Sequence, residues 1–216
     1  MPKKTNTPET TVHSVRLTHA DKAWLEEQYP AIAAQAKAEK GEIHWGDETA
    51  IMNNDVRGRS YSPKGETPVT YVVGGTREKL SMISTVTNQG KARWMIVEKN
   101  FDAAKLIEFM ESLVKDAGCK VFLILDNLRV HHSKPVKEWL SERQEQIEVF
   151  YLPSYSPQLN PDERLNADLK HAITTRVPAR TKAKLKAVAT EHMQHLSANV
   201  ERVKSFFQDP RVRYAN

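Results

Sequence analysis

The apolar positions change period several times along the chain, and each change marks an element. Residues 1–17 are rich in Thr, Lys and Pro and have no helical period, which predicts a flexible or extended lead-in. A helix is expected next: Thr18 with Asp21 resembles a capping box, and Trp24, Leu25, Ile32, Ala33 and Ala36 follow at roughly helical spacing up to Gly41. Pro30 interrupts that run and predicts a kink or break.

From Glu42 the period shortens to two. Ile43, Trp45 and Asp47 alternate as in a strand, and Tyr71–Val73, Leu80–Val86 and Trp94–Val97 are further strands separated by turns, the pattern of antiparallel pairing. The period then returns to that of a helix at Ala103, Leu106, Ile107, Met110, Leu113 and Val114, with Asn100 or Asp102 as cap and Gly118 as stop. Val121–Leu125 is apolar on both faces, as a central parallel strand covered by helices should be. A helix over Lys134–Gln144, a strand over Ile147–Tyr151 and a proline-punctuated loop follow, and the last third reads as helical. Hairpin strands followed by alternating strands and helices predict an α/β fold, with a mixed sheet of about five strands flanked by helices.

Composition narrows the class. With 39% hydrophobic and 27% charged residues in 216, the chain should build a real core. No apolar run approaches the ~20 residues needed to cross a bilayer, so a cytoplasmic protein with no membrane partner is expected. Cys119 is the only cysteine, which excludes an internal disulfide and a zinc ribbon. Charge is uneven: up to Glu163 there are 21 Lys and Arg against 23 Asp and Glu, and from Arg164 onward 11 against 4. A basic end of this kind is either a solvated tail or a surface for phosphate backbones.

Three acidic positions carry the chemistry. Asp126 ends the apolar strand, at the carboxyl edge where open α/β sheets bind ligands, although an Asp there can also simply cap the next turn. Asp47 closes the first strand, and beside Asp126 it would need a cation to relieve the repulsion. Glu48 is a rival ligand, ranked lower because alternation turns it to the opposite face. In Asn160-Pro161-Asp162-Glu163, Asn is placed as N-cap, Pro at N1 and Glu at N3, so Glu163 reads as a capping residue, a role compatible with metal binding. His131 and His132 lack a metal-binding partner set and read as orienting groups or backbone contacts.

The segment Leu152-Pro153-Ser154-Tyr155-Ser156-Pro157-Gln158-Leu159-Asn160-Pro161-Asp162-Glu163 closely resembles the P-x-Y-S-P-x-L-N-P-x-E signature of the IS630 and Tc1/mariner superfamily of transposases. Gly46-Asp47-Glu48-Thr49 resembles that family's first-acid strand, and Leu125-Asp126-Asn127 with His131 its second-acid block. Asp126 and Glu163 are separated by 36 residues, close to the family's spacing, and the resemblance runs from about Asp21 to Ala172.

The resemblance implies an RNase H-like DDE catalytic domain over 42–175, preceded by a lead-in and linker helix (1–41) and followed by a basic helical extension (176–216). It implies that Asp47, Asp126 and Glu163 bind two Mg²⁺ or Mn²⁺ ions, for cleavage of DNA at the ends of an insertion sequence and attack of the freed 3′-hydroxyl on target DNA. The implied partners are double-stranded DNA and a second copy of the chain in a homodimer. Candidate DNA contacts are Lys64, Arg129, His131, Arg176, Arg180, Lys182, Lys184 and Lys186, each also readable as a solvated side chain.

Two departures from the family pattern stand out. Only about forty residues precede the first acid, too few for the usual helix-turn-helix modules, which predicts either a separately encoded DNA-binding half or a truncated, non-catalytic remnant that binds DNA or full-length transposase. After the glutamate, where the family often has an aromatic such as Trp, the chain reads Arg164-Leu165-Asn166-Ala167. A host nuclease of the same fold, a junction resolvase or ribonuclease H, is a further alternative that the proline-rich block disfavours.

Overall fold

The computed structural model describes residues 17–53, 63, 65–66, 77–175 and 179–216. The expected lead-in up to residue 16 and the expected strand Tyr71–Val73 lie outside them. Among the described residues no helix is long and apolar enough to cross a membrane.

The chain opens on α1 (His19–Ala23), where Thr18 Oγ1 accepts from Asp21 N and the Asp21 carboxylate accepts from Thr18 N, so the expected capping box is present. Pro30 does not break the helix that follows. The turn Trp24–Gln28 widens to π geometry, with Tyr29 N–H donating to Trp24 O, and Pro30 then falls in the first turn of α2 (Tyr29–Ala38). An amide is dispensable there, so the missing N–H costs little.

Strands β1 (Glu42–Met52), β2 (Lys79–Val86), β3 (Ala92–Val97), β4 (Val121–Leu125) and β5 (Ile147–Tyr151) form one five-stranded sheet in the order β3-β2-β1-β4-β5. The β1–β2 and β2–β3 pairs are antiparallel, whereas β1–β4 and β4–β5 are parallel. The first strand is longer than its local alternation suggests. It pairs with β4 only from Glu42 to Trp45, but with β2 all the way to Met52, so Asp47 sits inside the strand rather than at its end.

Both faces of the sheet are covered. On one, α3 (Ala103–Ala117) and α4 (Lys134–Ser141) pack on Ile83, Val121, Leu123, Leu125 and Ile147. Asp102 caps α3 through Lys105 N, and Gly118, at φ 66°, ends it in the left-handed conformation that favours glycine. On the other face lie α2, α5 (Asp162–Thr175) and α6 (Lys182–Ser197), over Trp45, Ile51, Leu80, Met82, Phe122 and Ile124. The two sets alternate along β4, with Val121, Leu123 and Leu125 toward one layer and Phe122 and Ile124 toward the other, as a doubly covered strand requires. Val203 of α7 (Val200–Ser205), and Phe206, Phe207 and Ala215 after it, return to the second core beside Trp24 and Tyr29.

Candidate metal centre

Sheet register brings the first two acids together. Trp45 is level with Ile124 at the end of the parallel β1–β4 pairing, and Asp47 and Asp126 each follow two residues later, at the same end of the two strands. Beyond Leu125 the chain leaves the sheet, so the Asp126 carboxylate opens onto a cleft at its edge. Gly46 permits the close approach: a Cβ there would meet Leu125 Cδ2 at 2.8 Å and Thr85 Cγ2 at 3.0 Å.

The third acid arrives on α5. Asn160 Oδ1 accepts from Asp162 N at 3.0 Å, as an N-cap does, while its Nδ2 donates to Gly46 O at 2.9 Å, which ties the helix start to β1. A capping-box role for Glu163 is not realised, because Asn160 N donates to Pro157 O instead. Its carboxylate therefore remains available to the cleft. Asp47, Asp126 and Glu163 all line one cleft of about 370 Å³, together with the 152–157 loop, whose Tyr155 is fully exposed at its rim with φ 62°.

The electrostatics show how close these acids are. Asp47 is pushed up to about 8, first by burial and then by the charges of Glu163, Glu48 and Asp126. Asp126 is raised as well, by burial and by Glu48, with His131 opposing. Asp162, fully buried behind them, is held well above the usual carboxylate range by burial and by Asp47, although Ser84 Oγ donates to its Oδ2 at 2.7 Å.

Alternation along β1 sends Asp47 and Glu48 to opposite faces, and each meets a different partner. Asp47 Oδ2 accepts from Asn166 Nδ2 at 2.7 Å. Glu48 Oε1 lies 2.7 Å from His131 Nε2, while His131 Nδ1 lies 2.9 Å from Asp126 O and 3.4 Å from Asp126 Oδ1. With acceptors at both ring nitrogens, His131 bridges as an imidazolium. Burial opposes that charge, but the Glu48 hydrogen bond outweighs it and raises the His131 pKa. Glu48, Asp126 and His131 thus form a second tight group that shares Asp126 with the acids of the cleft.

The basic candidates are placed less uniformly. His131 is 1% exposed with its ring turned inward, so it has no surface to offer DNA, contrary to the sequence expectation. Arg129, Arg180 and Lys184 are exposed. Lys186 pairs with Glu98 at 2.5 Å and Lys182 donates to the Glu98 carbonyl, so both are already engaged by the end of β3. Lys64 and Arg176 lie outside the described residues. Asn166 and the Glu48–His131 bridge were missed by sequence reading. Asn166 had a signal, since it is three residues from Glu163 and so on the same helix face.

Sheet order, mixed strand direction and a carboxylate-lined cleft at the edge of the central strands define an RNase H-like nuclease architecture. The chain belongs to the DDE superfamily endonuclease family, whose model matches residues 42–186. Among solved structures it is similar to a Mos1 mariner paired-end complex with Mn (TM-score 0.63, 19% identity, 99% of this chain and 65% of that one). It is also similar to the Mos1 strand transfer complex (0.60, 19%, 99% and 64%). The catalytic domain of Mos1 mariner transposase matches at 0.58 with 16% identity, covering 92% of each chain. This chain therefore spans slightly less than two thirds of the Mos1 chains in the two complexes. At these identities the likeness establishes the fold. A comparison with curated proteins gives no match.

Proposed function

We propose that this chain is the catalytic domain of a DDE transposase, performing divalent-metal-dependent DNA strand cleavage and 3′-hydroxyl strand transfer. The observation that carries the reading is the convergence of Asp47, Asp126 and Glu163 on one cleft, from three separate elements. The relatives studied with Mg or Mn and as paired-end and strand transfer complexes support a metal and DNA as its ligands.

The residues fit a hard divalent cation. All three acids offer oxygen, Asp126 Oδ1 is buried with no hydrogen-bond partner, and the raised Asp47 is what a site short of positive charge produces. Asp47, Asp126 and Glu163 are the residues that would hold the metal, two ions in this reading. Glu48 and His131 are ranked behind them, because neither lines the cleft and each is engaged by the other. Bound there, Mg²⁺ or Mn²⁺ supplies Lewis-acid activation of the attacking oxygen and neutralises charge on the phosphate. The protein's own contribution is positioning. Asn166 fixes one Asp47 oxygen, Asn160 ties the Glu163 helix to β1, and His131 clamps the start of the Asp126 loop.

The same reading includes a homodimer joining two DNA ends and action in the bacterial cytoplasm on the nucleoid. Exposed Arg129, Arg180 and Lys184 are the proposed backbone contacts. The test is nicking of supercoiled plasmid in Mn²⁺ or Mg²⁺. The chain should convert it to nicked and linear forms, and Asp126→Asn should not; equal activity in that variant would remove the proposal.

A further inference from the structure

The cleft does not end at Glu163. Beyond it a second groove is lined by Pro157, Gln158, Asn160, Glu163, Arg164 and Arg211. The two share Pro157, Asn160 and Glu163, so groove and cleft adjoin at the third acid.

One side of this groove is Arg211, and the backbone that carries it is firmly held. Asp209 organises it, with one carboxylate oxygen 2.6 Å from Arg164 Nη2 and the other accepting from Arg211 N at 2.9 Å. Val212 and Ala215 are each 1% exposed. Between them Tyr214 accepts from Trp24 Nε1 at 2.9 Å and donates to Leu159 O at 2.8 Å, with its ring edge-on to Tyr29 and Trp45. The segment bearing Arg211 is therefore locked to the same 157–164 loop that presents Glu163.

The two arginines of the groove differ in one respect. Arg164 is neutralised by Asp209, whereas the exposed Arg211 guanidinium has no acidic partner among the described residues. An uncompensated guanidinium carried on a well-held backbone, in a groove beside a carboxylate cleft, suits one chemical class of ligand, a phosphodiester strand. With a phosphate at the acids, the backbone leaving past Glu163 would meet Arg211, and the Gln158 amide beside it can donate to phosphate or sugar oxygens.

We infer that Arg211 is a DNA-backbone contact that holds the strand leaving the metal cleft on the Glu163 side. The inference deepens the transposase reading and rests on it. Sequence reading places Arg211 in the basic extension (176–216) but does not single it out among the candidate DNA contacts.

The test is equilibrium binding of the full chain to a short DNA duplex in Ca²⁺, across a range of salt. Arg211→Ala should weaken binding several-fold and reduce the slope of log K against log salt by ~0.9, the loss of one phosphate contact. Its melting temperature, and the rise in that temperature with Mn²⁺, should match the wild type; Arg211→Gln serves if the alanine variant folds poorly. Wild-type affinity and slope in a folded variant would overturn the inference while leaving the transposase reading intact. A wild-type chain that binds no DNA would overturn the inference alone; the transposase reading falls separately, if plasmid nicking survives Asp126→Asn.

Discussion

Asn166 donates its side-chain amide to Asp47 Oδ2 at 2.7 Å, so the helix that delivers the third acid also orients the first. The two residues lie 119 apart in sequence, and Asn166 is 1% exposed. Glu163 and Asn166 share a helix face, one carboxylate going to the cleft and one amide to β1. The site is thus one unit rather than three acids on independent supports.

Replacing Asn166 with leucine keeps the volume and removes the donor. Metal-dependent cleavage should fall by ~10-fold, the effect of losing a group that orients a ligand, and the Mn²⁺ concentration for half-maximal rate should rise. Asn166→Asp should be worse, because it adds a carboxylate to a cluster already short of positive charge. Metal titrations of plasmid nicking would show this, and unchanged metal dependence in the leucine variant would remove the orienting role.

A pH dependence follows from Asp47. Its pKa rises from an ordinary value of 3.8 to about 8 in the folded, metal-free protein, so between these values the folded state holds a proton that the unfolded state has lost. Stability from this group is therefore greatest in acid and declines as pH rises toward 8. A metal requires the ionised form and displaces that proton, so its affinity should climb over the same range. Thermal unfolding with and without Mn²⁺, from pH 6 to 8.5, should show a metal-induced rise in melting temperature that grows with pH. A rise that is flat across the range would contradict the raised pKa.

Gly46 tests the packing beside the first acid. A methyl group at this position would press on Leu125 Cδ2, Thr85 Cγ2 and the Ser84 carbonyl, all three on the strands that flank β1. Gly46→Ala should cost ~1–3 kcal/mol in denaturant unfolding. It should lower cleavage by more than stability alone explains, because any shift of β1 moves Asp47 and the carbonyl that holds Asn160.

Local signals made most of this legible. Asp126 stood out because an apolar strand ends on it, and the start of α5 because Asn-Pro is a strong helix-start signal. Elements set by distant partners were harder. The strand β1 continues past Asp47 because β2 pairs with it beyond the end of β4, and nothing in the alternation of Ile43, Trp45 and Asp47 reports that partner. Pro30 read as a kink or break because a π turn, which absorbs its missing amide, has no clear sequence mark. The role of Asn166 stayed hidden because helical spacing places a residue on a face without saying what lies opposite.

The Glu48–His131 bridge spans 83 residues and offers the sharpest separation of support from chemistry. His131 reaches Glu48 from one ring nitrogen and the Asp126 carbonyl from the other, and Tyr151 OH donates to the His131 carbonyl at 3.3 Å. Removing the ring strands a buried carboxylate, since Glu48 Oε2 already has no hydrogen-bond partner. His131→Ala should therefore cost ~3–5 kcal/mol, the usual result of breaking a buried ion pair from one side. Adding Glu48→Gln to that variant should restore much of the stability by removing the stranded charge. A double-mutant cycle in urea measures the coupling. If the two costs simply add, the contact is incidental. If they couple while the double variant still cleaves DNA slowly, the bridge sets the position of the Asp126 loop, and the metal is held by the acids of the cleft.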